Sequence, residues 1–140
     1  MKRKNLIVEL DAALTPADAV HLVLKLAPHV GGFKIGLRFV TSILAQLVSA
    51  RSDEEANFKL KKVRSLFYIL NEKVFFDGEF NDIPDTVVGT LETLQMLDVQ
   101  VLSGYVLGNT EKVVVGLPIT AAPDPVEAAK KFAAEIAKVS

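Results

Sequence analysis

Three carboxylates lie close together in the segment of residues 74–86. Asp77 and Glu79 are two residues apart at the end of a predicted strand, where alternate side chains point to the same side. Asp82 follows in the loop just before Pro84, a residue well suited to the first position of a helix. Because neighbouring acids repel one another, this segment needs a cation, a proton or an opening to water. The cluster is therefore either a site of acid–base chemistry or a solvated polar loop.

Strand-like and helix-like segments alternate along the chain that carries these acids. The predicted strands cover residues 5–10, 33–36, 73–77, 99–102 and 113–116. Prolines preceded by capping residues mark helices that begin at Pro16 and Pro125, and apolar spacing predicts helices over 40–48, 52–70 and 84–97. Parallel strands need crossover connections, so this alternation predicts an α/β fold with a parallel sheet wrapped by helices.

Composition predicts one soluble globular domain over residues 1–140, with 50% hydrophobic and 24% charged residues. The chain is too short for a complete eight-unit barrel, which takes about 250 residues. Sixteen basic residues against 17 acidic ones give a net charge of −1, which argues against a nucleic-acid or anionic-membrane partner. No apolar run approaches the ~18 residues of a membrane span. We therefore expect a cytoplasmic protein.

Four blocks of the sequence together resemble the orotidine 5′-phosphate decarboxylase family, a branch of the phosphate-binding (β/α)8 barrels. Residues 6–11 are similar to the first strand of the family, and residues 33–37 to the second. Residues 77–86 resemble its signature Asp-x-Lys-x-x-Asp-Ile-Pro-x-Thr, which is the most specific match. Residues 113–120 are similar to the last strand, where Gly-Arg-Pro-Ile-Thr grips phosphate. The resemblance implies a partial TIM barrel of about five strands.

The resemblance also implies roles for individual residues. It places catalytic positions at Asp77, Glu79, Asp82 and Lys34, and substrate-binding positions at Asp11, Thr86, Gly116 and Leu117. In the family, the aspartate at position 11 contacts ribose and the lysine at position 34 belongs to the charge network of the active site. For Lys34 the simpler interpretation is a lysine at the end of a strand that extends to water.

Two departures from the family fall on residues that do chemistry. Glu79 stands where the family has the lysine that protonates the pyrimidine carbon losing carbon dioxide, and an ionised carboxylate has no proton to give. Leu117 stands where the family has the arginine that clamps phosphate. We therefore expect a decarboxylase-like protein whose chemistry is lost or strongly weakened.

Two other functions stay open at this stage. One is an active decarboxylase of pyrimidine biosynthesis in which Lys34 or a protonated Glu79 supplies the proton. The other is a non-enzymatic half-barrel that binds or assembles. Three acids could hold a divalent cation, but no other ligand pattern supports one, so we expect neither a metal nor a cofactor.

A ligand and a partner are also expected. The resemblance implies a nucleotide monophosphate as ligand, and a two-fold dimer in which Asp82 reaches into the partner's pocket. A five-strand sheet has two open edges, which favours a homodimer on separate grounds. The sheet could thus be a partial barrel completed by dimerisation or, as the alternative, an open flavodoxin-like sheet.

Overall fold

The computed structural model describes residues 5–10, 14–77, 84–96, 100–102 and 113–139. Its strands are β1 (Leu6–Glu9), β2 (Gly32–Gly36), β3 (Val74–Asp77), β4 (Gln100–Leu102) and β5 (Val113–Val115). Its helices are α1 (Pro16–Leu26), α2 (Leu37–Val48), α3 (Asp53–Leu70), α4 (Pro84–Gln95), α5 (Leu117–Thr120) and α6 (Pro125–Val139). Short 3-10 turns cover Ala27–His29 and Asn71–Lys73. All five predicted strands are confirmed, whereas α5 was not predicted and α2 begins at Leu37 rather than near residue 40.

The five strands form one parallel sheet in the order β4-β3-β2-β1-β5. Each strand lies beside the one before it in sequence, except that β5 returns to pair with β1. A (β/α) barrel has this arrangement, because closure places the first strand between the second and the last. A flavodoxin-like sheet instead places β1 between β2 and β3, so that alternative does not describe this chain. The fold is a partial TIM-barrel-like sheet, with β4 and β5 at its edges.

One face of the sheet is covered by helices and forms the core. Its buried side chains come from alternate strand positions, as the period of two requires. They are Leu6, Val8, Phe33, Ile35, Val74, Phe76 and Val115. Burying an apolar side chain of this size stabilises the fold by about 1.5–3 kcal/mol, so this face carries much of the stability.

Helix α3 contributes to this core. It packs against α1 and α2, and its Leu66 and Leu70 are fully buried. The side chain of Leu60 on the same helix is, in contrast, 46% exposed. Ser52 caps the helix, since its hydroxyl accepts a hydrogen bond from the backbone N–H of Glu55 at 3.1 Å.

The opposite face of the sheet changes character along the strands. Towards the amino ends it is apolar, with Ile7 and Phe75 both buried. A Cβ on Gly32 would lie only 2.7 Å from a ring carbon of Phe75, so glycine there lets the ring lie close to β2. Towards the carboxyl ends the same face carries charged side chains. In the part of the chain that the structure describes, no helix combines the length and apolar character needed to cross a membrane.

Candidate functional site

Three neighbouring strands bring Glu9, Lys34 and Asp77 together at their carboxyl ends. Glu9 is paired in register with Lys34, and Asp77 with Gly36 two residues further along β2. Lys34 Nζ donates a hydrogen bond to Asp77 Oδ2 at 2.9 Å and lies 3.5 Å from Glu9 Oε2. The strand period of two puts all three side chains on the face opposite the helices. We call these residues the strand-end triad.

Lys34 is the least exposed member of the strand-end triad. Its side chain is 17% exposed, against 49% for Glu9 and 42% for Asp77. Partial burial is the largest single influence on the pKa of Lys34 and lowers it. The hydrogen bond to Asp77 and the charges of Glu9 and Asp77 together outweigh burial, so this pKa lies above its ordinary value. The lysine is thus a firmly protonated ammonium between two carboxylates, and it does not extend freely to water.

A cavity of about 260 Å³ opens beside the triad, at the carboxyl ends of β1, β2 and β5. Its lining residues are Glu9, Leu10, Gly36, Arg38, Phe39, Gly116 and Leu117. Gly116 lies against the Glu9 side chain, because a Cβ on it would lie 3.6 Å from Glu9 Cβ. Enzymes with barrels of this kind place their active sites at this end of the strands.

Two curated proteins are similar to this chain, and both are named orotidine 5′-phosphate decarboxylase. The protein from Syntrophomonas wolfei is 30% identical over 109 residues, which cover 78% of this chain and 38% of the relative. The protein from Moorella thermoacetica is 32% identical over 107 residues, covering 76% of this chain and 36% of the relative. The chain is related to the orotidine 5′-phosphate decarboxylase family. It spans less than two fifths of the length of these relatives. No protein-family profile matches it.

The structure describes five of the eight predicted site residues. Lys34 and Asp77 are in direct contact, and Gly116 and Leu117 line the cavity beside them. Thr86 is exposed in the first turn of α4 and does not line the cavity, and its carbonyl accepts a hydrogen bond from the hydroxyl of Thr90. The remaining predicted positions, Asp11, Glu79 and Asp82, lie outside the described residues.

Two residues of the site were missed by sequence reasoning. Glu9 interrupts the apolar run of β1, so the strand period could have placed it on the face of Ile7, but its position beside Lys34 depends on the pairing of β1 with β2. Arg38 carried no such signal, because its position beside Gly116 and Leu117 depends on the pairing of β1 with β5, which are more than 100 residues apart.

The described residues offer few ligands for a metal ion. No group of three or more His, Cys, Asp or Glu side chains comes together within them. The two acids of the triad are both held by Lys34. In the described part of the site, the ammonium of Lys34 therefore balances the negative charge of Glu9 and Asp77.

Proposed function

We propose that this chain is an orotidine 5′-phosphate decarboxylase-like protein in which the decarboxylation chemistry is lost or strongly weakened. One observation carries the proposal: Glu79 occupies the position of the proton-donating lysine in a motif that otherwise matches from Asp77 to Thr86. A carboxylate in that position adds negative charge where the reaction needs an acid. The relationship to the family supports the framework, and the substitution supports the loss of chemistry.

The environment of Lys34 gives further support, because Lys34 would be the substitute acid. Its ammonium is engaged by two carboxylates, at 2.9 Å and 3.5 Å. Its raised pKa means that it releases a proton less readily than an ordinary lysine. Efficient general acids have a pKa near the working pH, so Lys34 is poorly suited to this role.

A working decarboxylase is the second candidate. It is favoured by the contact between Lys34 and Asp77, which places a protonated amine beside the first aspartate of the motif. A non-enzymatic half-barrel module is a third, favoured by the open edges of the sheet at β4 and β5.

We also propose a domain organisation, an oligomeric state, a ligand and a location for the whole molecule. The chain forms a single domain over residues 1–140 and associates as a homodimer that covers its sheet edges. Its ligand is a nucleotide monophosphate. The residues that bind it are Asp11, Thr86, Gly116 and Leu117, and the catalytic position Asp82 reaches into the pocket of the partner. Its location is the cytoplasm.

The test of the proposal follows the ultraviolet absorbance of orotidine 5′-phosphate with purified protein. Four proteins are compared: the unchanged chain, Glu79→Lys, Glu79→Lys with Leu117→Arg, and the control Glu92→Lys. Glu92 is an exposed glutamate of α4, so the control makes the same charge change on the helix surface. We expect no turnover by the unchanged chain or the control, and measurable turnover by the double variant.

The outcomes separate the three candidates. Turnover by the unchanged chain would overturn the proposal and establish the working enzyme. A chain that shows no turnover in any version, and no thermal stabilisation by uridine 5′-phosphate, would be the non-enzymatic module. The thermal test detects binding because a ligand that binds only the folded protein must raise the apparent stability of that protein. Light scattering measures the dimer independently.

A further inference from the structure

Arg38 brings a second cation to the cavity, separate from the strand-end triad. Its side chain is exposed and lines the cavity two residues after β2 ends. Within the described residues, no ion pair or hydrogen bond engages its guanidinium. Lys34, in contrast, is already held by Glu9 and Asp77. Among the described residues that line this cavity, Arg38 is therefore the cation that is available to a ligand.

The position of Arg38 matters because of the other residues that line the cavity. Gly116 and Leu117 line the same cavity, and Leu117 is 59% exposed but carries no charge. The resemblance places a phosphate-clamping arginine at position 117. Among the described residues, the cavity thus has no cation at the start of α5 but has one, Arg38, at the start of α2.

We propose that Arg38 binds the phosphate group of the ligand in this cavity, in place of the arginine that is absent at position 117. The inference rests on the nucleotide monophosphate ligand of the proposed function. A guanidinium presents its N–H groups in a fixed fork that matches two phosphate oxygens. The cavity, at about 260 Å³, is several times the ~30 Å³ that a water molecule takes in the liquid, so a phosphate group fits.

Among the described residues near Arg38, one feature attracts an anion to the cavity and another repels it. Helix α2 begins at Leu37 with no side-chain cap and no acid in its first turn, so its positive end adds to the attraction for an anion. Glu9 lines the same cavity and repels an anion, although Lys34 lies 3.5 Å from its carboxylate and offsets part of that repulsion. Neutralising Arg38 and neutralising Glu9 should therefore change phosphate binding in opposite directions.

The experiment measures binding of uridine 5′-phosphate, uridine and inorganic phosphate by calorimetry. Arg38→Gln and Glu9→Gln each remove one charge while keeping a polar side chain. Arg64→Gln is the matched control, an exposed arginine on α3 outside the cavity. Because a hydrogen bond to a charged group contributes about 1.5–3 kcal/mol, Arg38→Gln should weaken uridine 5′-phosphate binding about tenfold or more. Glu9→Gln should strengthen it, and Arg64→Gln should leave it unchanged.

Uridine separates the phosphate contact from the rest of the ligand. Its affinity should be the same in the unchanged chain and in Arg38→Gln, since it has no phosphate to lose. Adding Leu117→Arg to Arg38→Gln should restore phosphate-dependent binding, because position 117 lines the same cavity. Circular dichroism of each variant shows that a loss of binding is not a loss of fold.

The binding results test the role of Arg38 and the nucleotide ligand separately. Unchanged uridine 5′-phosphate affinity in a folded Arg38→Gln variant overturns the role of Arg38 and leaves the nucleotide ligand standing. Inorganic phosphate that binds through Arg38 without any binding of uridine 5′-phosphate supports the anion site and overturns the nucleotide ligand. If the unchanged chain binds neither, both are overturned. Turnover in the absorbance assay tests the loss of chemistry separately and does not depend on these results.

Discussion

Replacing Lys34 with methionine should destabilise the folded chain. Methionine keeps much of the length of the side chain but removes the charge that holds Glu9 and Asp77. With the dielectric constant of water, Coulomb's law gives about 1.4 kcal/mol for the pair at 2.9 Å and about 1.2 kcal/mol for the pair at 3.5 Å. Burial of the ammonium opposes this gain, and exposed pairs are measured at only ~0–1 kcal/mol each. We therefore expect a loss of about 1–2 kcal/mol in the free energy of unfolding.

The assay is urea unfolding at neutral pH, with Lys25→Met as the matched control. Lys25 is an exposed lysine of α1 that makes no ion pair within the described residues. The control should change the free energy of unfolding by less than about 0.5 kcal/mol, as surface substitutions usually do. A change in midpoint without a change in slope would show that the variants differ in stability and not in the surface exposed on unfolding.

The stability that Lys34 contributes to the folded chain should be lost at high pH. The pKa of Lys34 is raised in the folded state, so the folded chain binds this proton more tightly than the unfolded chain. The stability that the proton contributes is fully present below the unfolded pKa, about 10.4, and is lost as pH rises through the folded value. The difference between the unchanged chain and Lys34→Met should thus be constant from neutral pH to about pH 10 and shrink above it. Equal stability of the two proteins at neutral pH, or a difference that persists above the folded pKa, would refute this account of the triad.

Two further substitutions test the local structure around the site. Gly32→Ala should destabilise by about 1–3 kcal/mol in thermal unfolding, because its Cβ would lie 2.7 Å from the Lys73 carbonyl oxygen. Gly36→Ala is its control on the same strand, with the nearest atom at 3.5 Å, and should change stability by less than about 1 kcal/mol. Ser52→Ala should cost about 1 kcal/mol in urea unfolding, since it removes the cap of α3, and Ser52→Gly should cost less. Full stability in Ser52→Ala would mean that the cap contributes nothing.

The elements of this fold were predictable because their signals are local. A capping residue followed by proline marked the starts of α1 and α6, and short apolar runs marked the strands. Leu94 of α4 and Ala129 and Ile136 of α6 are buried in the core, so both predicted helices turn apolar side chains inward. The short α5 gave no such signal, since four residues are too few for a hydrophobic period to show.

The candidate site was harder to predict because it depends on strand order. Lys34 meets Asp77 only because β2 lies beside β3, and it meets Glu9 only because β1 lies on its other side. Apolar runs specify that a strand is buried but not which strand lies next to it. The resemblance implied a role for Lys34 in a charge network, but the carboxylate of Glu9 and the position of Arg38 emerged only from the assembled sheet.

The two faces of the sheet explain how chemistry could be lost from this chain without loss of its fold. Stability rests mainly on the buried face against the helices, whereas the triad lies on the other face and the cavity opens at the carboxyl ends of the strands. Leu117 is exposed, so an arginine there displaces no core side chain and Leu117→Arg should fold as well as the unchanged chain. A folded double variant that still fails to turn over would then point to the parts of the relatives that this chain does not span. Restored turnover would show instead that two side chains separate this chain from a working enzyme.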